Sequence, residues 1–317
     1  MVEWVERRQV WVYLGGIVVG VLVGVVVPGV GAGLERGINP VLGALLFVTF
    51  LQVPARELVR ALGAGRFIGA VLVVNFVVVP VVVAGMFGFL PDEPAVRVGV
   101  LLVLLTPCVD YVIVFSGLAG GNSERLLAAT PLLLLLQMLL LPVFLGSGVG
   151  DIVEVGPFLE AFVWLIVVPL GLAWGTQVWA GRHRAGEVFV RKAGGTMVPL
   201  MAATLFVVVA SQVSELEGDV RVVVGVVPFF VLFPAVMAVL GVGVARVFRL
   251  GVRDGRAVVF SGATRNSLVV LPLALALPDA YDVAAVVVVT QTLVEVIGMV
   301  VYVRVVPRLL PSVGRAK

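Results

Sequence analysis

From Phe67 to Leu90 the chain runs without a single charged side chain. At about 1.5 Å per residue, such a run is long enough to cross a hydrocarbon core of about 30 Å. A soluble protein would have to bury it on all sides, and this composition leaves little with which to do so. Apolar residues make up 61% of the sequence and charged residues 13%, where a soluble domain carries about 25% charged residues. Mean hydropathy is +1.18. The runs are continuous rather than alternating, so they read as helices and not as the roughly ten-residue strands of a membrane barrel. The fold class expected is an all-α membrane protein.

Ten such stretches can be counted, near residues 10–28, 38–53, 67–90, 95–118, 125–145, 157–179, 195–213, 221–245, 256–277 and 281–303. Turn signals separate them, among them Pro28-Gly29, Pro91-Asp92, Gly120-Gly121-Asn122 and Pro278-Asp279. The first stretch is long enough to stay in the membrane, and no small-residue cleavage site follows it, so it does not read as a cleavable signal. Gly16, Gly20 and Gly24 recur every four residues in it. That spacing permits close helix packing, more readily within the chain than between copies.

Basic residues set the expected orientation. With the N-terminus inside, 18 of the 22 fall in the cytoplasmic pieces, at 7–8, 56–66, 125, 182–192, 246–256 and 304–317. Three, Arg36, Arg97 and Arg221, fall outside, and Arg265 lies within a stretch. This asymmetry follows the positive-inside rule. It points to a multi-pass protein of the cell membrane with both termini cytoplasmic. The pI near 9.4 is read the same way, not as nucleic-acid binding. His183 falls in the basic segment 182–192, expected as a solvated loop. One cysteine excludes an intrachain disulfide and a cysteine-cluster zinc site. No cofactor is expected.

The two halves repeat. Pro80 and Pro234 lie 154 residues apart within similar apolar runs, as do Gln137 and Gln291. The whole chain, 1–317, reads as one transmembrane domain, with repeat one at about 10–145 and repeat two at about 157–303. Five stretches per repeat is an odd number, so the halves have opposite topology. Each half contains one interrupted stretch. The first is Thr106-Pro107-Cys108-Val109-Asp110, where proline removes a backbone donor and clashes with the preceding turn. The second, at the same offset, is Ser261-Gly262-Ala263-Thr264-Arg265-Asn266-Ser267. Unwinding is expected near Pro107 and near Gly262-Ala263, with the two points close together. Paired interrupted helices in inverted halves mark the binding site of secondary transporters.

Asp110, Arg265 and Glu295 are the charges inside the stretches. A charge at that depth costs roughly 2.5–3.5 kcal/mol on insertion scales, and it pairs or faces water. Asp110 and Arg265 form either a structural ion pair or a substrate- or proton-dependent one. Glu295 is either a second titratable group or a residue facing the crossing. Thr264, Gln137 and Gln291 join them as candidates for ion coupling, by oxygen coordination or as bonds between packed helices. Cys108 supplies a soft thiol, and is equally a common small buried residue.

Thr106-Pro107-Cys108, the end of that stretch at Gly117-Leu118-Ala119-Gly120-Gly121-Asn122, Arg265-Asn266-Ser267, and Val288 to Tyr302 resemble the bile acid:sodium symporter superfamily, and within it the arsenical-resistance branch. The resemblance implies ten helices in two inverted repeats, with helices four and nine broken and crossing. Helices three to five and eight to ten form a core; one, two, six and seven form a panel. It also implies alternating access, and Asn266 and Ser267 match the Asn-Ser pair of the sodium-coupled branch; with the break at Pro107 and the charges read above, the candidate substrate site is Pro107, Cys108, Asp110, Arg265, Asn266 and Ser267. Cys108 matches the arsenite-associated cysteine of that branch. The acidic residue of the ninth helix is absent, with Leu268 in its place, and Ser261 replaces the glutamate of the sodium-coupled branch.

The partners expected are the lipid bilayer, a coupling proton or sodium ion, and a small anion or metalloid substrate. The first reading is a secondary transporter exporting arsenite or a related metalloid. The alternative is a sodium- or proton-coupled carrier of a small organic anion, with Arg265 as its counter-charge. An enzyme is not expected, since neither His-Glu-x-x-His nor Gly-x-Ser-x-Gly occurs.

Overall fold

A computed structural model describes residues 9–27, 29–52, 65–109, 111–149, 163–216, 220–275 and 277–311. Among these residues the chain is helical throughout, apart from turns and one isolated antiparallel bridge. The apolar runs become α1 (Gln9–Val26), α2 (Val30–Leu51), α3 (Gly65–Phe87) and α4 (Pro94–Leu104). They continue as α5 (Tyr111–Leu118) and α6 (Ser123–Val149), then α7, a π turn Val163–Val167 running on into Val168–Ala180. The rest are α8 (Arg184–Gly194), α9 (Met197–Leu216), α10 (Val220–Val247), α11 (Val252–Ala263), α12 (Ser267–Leu275) and α13 (Val283–Leu309).

The long helices expose apolar side chains to their surroundings. Val81 on α3, Leu139 on α6, Val239 on α10 and Ile297 on α13 are each at least 65% exposed. In water such faces would be costly, at about 25 cal/mol per Å²; in a bilayer they need no cover. Among the described residues three helices, Gly65–Phe87, Val224–Val247 and Val283–Leu309, are long and apolar enough to cross a membrane, or up to five if two bent pairs each count as one span. The chain is therefore an all-helical protein with the character of a membrane protein.

Contacts divide the helices into two groups. α1 and α2 both lie on α9, and α7 lies on α2. In the other group α10 packs on α11, and α13 packs on α4, α10 and α12. Glycine permits the tightest approaches. A Cβ on Gly16 would lie 2.8 Å from the Ala202 carbonyl oxygen, and one on Gly20 would lie 3.0 Å from that of Phe206. The glycine spacing of α1 thus serves packing on α9 within the chain. Gly99 plays the same part between α4 and α13, where a Cβ would stand 2.9 Å from the Ala284 oxygen.

One expectation needs correction. The basic segment 182–192 is not a loop but most of helix α8, with Gly186 packed against Ala180 and Trp179 of α7. Its i, i+3 and i+4 spacing turns Gly186 and Val190 inward and leaves Arg184, Arg191 and Lys192 exposed, which a segment read by charge alone does not reveal. The second unwinding falls at Thr264–Asn266, directly after Gly262-Ala263 and close to the first, as expected; Gly262 and Ala263 themselves remain helical. Gly262 is retained there by packing, since a Cβ would lie 2.7 Å from Val74 Cγ2.

Candidate functional site

The first interruption follows from covalent chemistry. Pro107 has no amide hydrogen, and it disfavours helical geometry at the residue before it. The helix therefore ends at Leu104, with the Thr106 hydroxyl donating 2.8 Å back to the Leu102 carbonyl. The second interruption contains no proline. Thr264 turns to extended backbone, φ −96° and ψ 131°, with its hydroxyl donating 2.7 Å to the Phe260 carbonyl.

The two extended pieces pair with one another. Pro107 and Arg265 form the isolated antiparallel bridge. The Cys108 amide donates to the Thr264 carbonyl at 3.1 Å, and the Asn266 amide donates to the Thr106 carbonyl at 2.8 Å. Unwound backbone at membrane depth must find protein partners, and here each break supplies the other's. Pro107, Cys108, Thr264, Arg265, Asn266 and Ser267 are thereby brought together, all buried. Asp110 lies outside the described residues, and with it the expected pair with Arg265.

Arg265 is fully buried, at 0% exposure. Its Nη2 donates to Asn75 Oδ1 at 2.8 Å and to the carbonyls of Ser261 and Gly262 at 2.6 and 2.8 Å. Its Nη1 donates to the Leu104 carbonyl at 3.3 Å, and the guanidinium carbon stands 5.6 Å from the centre of the Phe233 ring. Asn75 sits in a π turn, Val74–Val78, that aims its amide at this point. Its Nδ2 donates to Val71 O and to Ser261 Oγ at 2.9 and 2.8 Å.

Glu295 of α13 reaches the same crossing. Tyr111 donates to its Oε1 at 2.6 Å, the Arg265 amide donates to its Oε2 at 2.8 Å, and Gln291 Nε2 also donates to Oε2. Among the described residues Glu295 is the one buried carboxylate. Tyr111 was not among the sequence candidates; its position beside Asp110 in an otherwise apolar run was the available signal. Asn266 Oδ1 accepts from the Val269 amide at 3.2 Å, which caps α12. Asn266 Nδ2, Ser267 Oγ, Gln291 Oε1 and both polar atoms of Gln137 have no hydrogen-bond partner in this state. Buried polar atoms of that kind are uncommon and fit a site that completes its bonds with a ligand or water. Gln137 lies on α6 and joins none of these bonds.

The family model that matches the chain is that of the SBF-like CPA transporter family, over residues 12–309. It agrees with the superfamily-level resemblance and does not reach the arsenical branch. No curated protein matches.

Proposed function

Because the chain belongs to the SBF-like CPA transporter family, we propose that it is a secondary transporter working by alternating access, and that it exports arsenite or a related metalloid. In this reading ten spans form two inverted repeats in the cell membrane, with both termini cytoplasmic. α4–α5 and α11–α12 are the broken spans four and nine. The helices around α13 form the core, and α1, α2, α7 and α9 form the panel. The contact grouping, the two breaks and the distribution of basic residues support it.

One observation carries the choice of substrate. The chain's single thiol stands at the paired breaks, because the amide of Cys108 is itself one of the bonds across them. Trivalent arsenic is soft and prefers sulfur to the surrounding oxygen. One thiol gives one exchangeable bond, as a carrier that must release its cargo requires. Cys108 is 1% exposed, which fits a site reached from one side at a time. Pro107, Asn266 and Ser267 stand at the same crossing, with Asp110 beside them in sequence. Glu295, with Gln291 and Thr264, supplies the coupling group for a proton in this reading, and Gln137 contributes from α6. The organic-anion alternative requires a guanidinium available to substrate; that of Arg265 gives four bonds to protein oxygens from Nη1 and Nη2, and only the buried Nε is without a partner.

Vesicle flux tests this reading, with arsenite compared against small organic anions under sodium and pH gradients. Arsenite should move, and Cys108→Ser and Cys108→Ala should both stop it at unchanged expression. Normal arsenite flux in either variant refutes the thiol's role.

A further inference from the structure

The four oxygens around the Arg265 guanidinium are all neutral. Three are main-chain carbonyls, and each is an end-of-helix oxygen. Leu104 closes α4, while Ser261 and Gly262 lie in the last turn of α11, which ends at Ala263. The last carbonyls of a helix lack intrahelical donors and carry the negative end of its dipole. Two helix C-termini thus converge on one guanidinium, Leu104 at Nη1 and Ser261 and Gly262 at Nη2, and Asn75 Oδ1 joins them at Nη2. Interrupted helices of carriers use such unwound carbonyls and C-terminal ends to hold a metal cation. Oxygen-only ligands at this density suit a hard cation.

In this chain a covalently attached cation occupies that point. The guanidinium is completely buried, no described carboxylate forms an ion pair with its nitrogens, and the Ser261 and Gly262 carbonyls are oriented on Nη2. We propose that Arg265 is a resident cation, filling an oxygen nest that would otherwise bind an alkali metal ion. The crossing then needs no metal ion there to hold its two helix ends together. Removing the side chain exposes a nest selective for sodium or lithium. This assigns Arg265 to holding the crossing rather than to the substrate. It rests on the reading of the crossing as the transport site only for its consequence, that no coupling sodium binds in this nest.

The test is thermal unfolding of the purified full chain in detergent, in sodium, lithium, potassium and choline chlorides at equal ionic strength. Substrate is not needed, so the result stands apart from the arsenite assay. Wild type should melt at one temperature in all four salts. Arg265→Ala should melt lower in choline and gain a saturable rise of roughly 2–4 °C with sodium or lithium. Arg265→Lys, which keeps a tethered cation, should be indifferent to the salt. A saturable alkali-metal shift in wild type overturns the proposal, and so does an Arg265→Ala protein that folds but melts alike in all four salts. If Arg265→Ala gives no folded protein, Arg265→Gln replaces it. Failure of both in every salt also overturns the proposal, since a metal ion then cannot take the guanidinium's place.

Discussion

Three donors meet on the carboxylate of Glu295, from Tyr111, Gln291 and the Arg265 amide. They belong to α5, α13 and the second break, so one side chain ties together elements far apart in the chain. Glutamine at this position would keep the shape but replace one acceptor oxygen with a donor. The charge on the acceptor is lost, and the new amide nitrogen avoids facing a donor only if the Tyr111 hydroxyl turns to accept from it and donates instead to the Arg265 carbonyl, 3.3 Å away. An unsatisfied buried group costs about 1–3 kcal/mol, and Glu295→Gln should lose stability on that scale in detergent unfolding. Tyr111→Phe should lose a similar amount. The two share one bond, so the double variant should depart from additivity by at least ~0.5 kcal/mol. Additive losses would show that the Tyr111–Glu295 bond contributes nothing. Glu295 and Gln291 stood out in the sequence as polar residues inside an apolar stretch, but the bonds that join Glu295 to Tyr111 and to the second break did not. Tyr111 and Glu295 are 184 positions apart, and nothing in either local pattern indicates the other. The nest around Arg265 was hidden for a different reason: main-chain carbonyls carry no residue-type signal.

The interrupted helices differ in how openly the sequence announces them. Pro107 forces its break through bond geometry, and the position could be read directly. The second break has no such residue. Ser261, Gly262 and Ala263 resemble a breaker, yet they stay helical because Gly262 is held against Val74 and Met237. The chain leaves the helix only at Thr264, where the other break offers hydrogen bonds. Tertiary pairing, not propensity, chooses the spot. Helix packing around the breaks depends equally on a missing side chain. A Cβ at Gly99 would meet the Ala284 oxygen at 2.9 Å and Val287 Cβ at 2.9 Å. A backbone oxygen cannot turn aside, so Gly99→Ala should push α4 from α13. The expected cost is about 1–3 kcal/mol, read as a lower melting temperature. Gly43→Ala, with nothing within 4 Å of the added atom, is the control and should be nearly neutral.

Over the whole molecule, the long apolar runs showed where helices lie, because a bilayer leaves that sequence no other way to satisfy its backbone. The surface helix α8 was the exception, since its charges masked a helical period. Orientation follows from the same charges. In a Cys108→Ser background, a cysteine in place of Asp92, whose side chain is 92% exposed, should react with an impermeant reagent from outside the cell. One in place of exposed Lys192 should react only after permeabilisation. The opposite pattern would invert the proposed topology.

The bonds that join the two breaks run from main chain to main chain, through Cys108 to Thr264 and Asn266 to Thr106. No codon change can delete an amide hydrogen at either donor except a change to proline. The side chains decorating this junction can therefore be exchanged one by one while the junction itself persists. Under the proposed function, selection is free to retune cargo and driving ion at fixed architecture, and a library of substitutions at these four positions should yield more altered carriers than misfolded ones. To perturb the junction itself requires chemistry outside the genetic alphabet, such as an ester in place of the Cys108 or Asn266 amide.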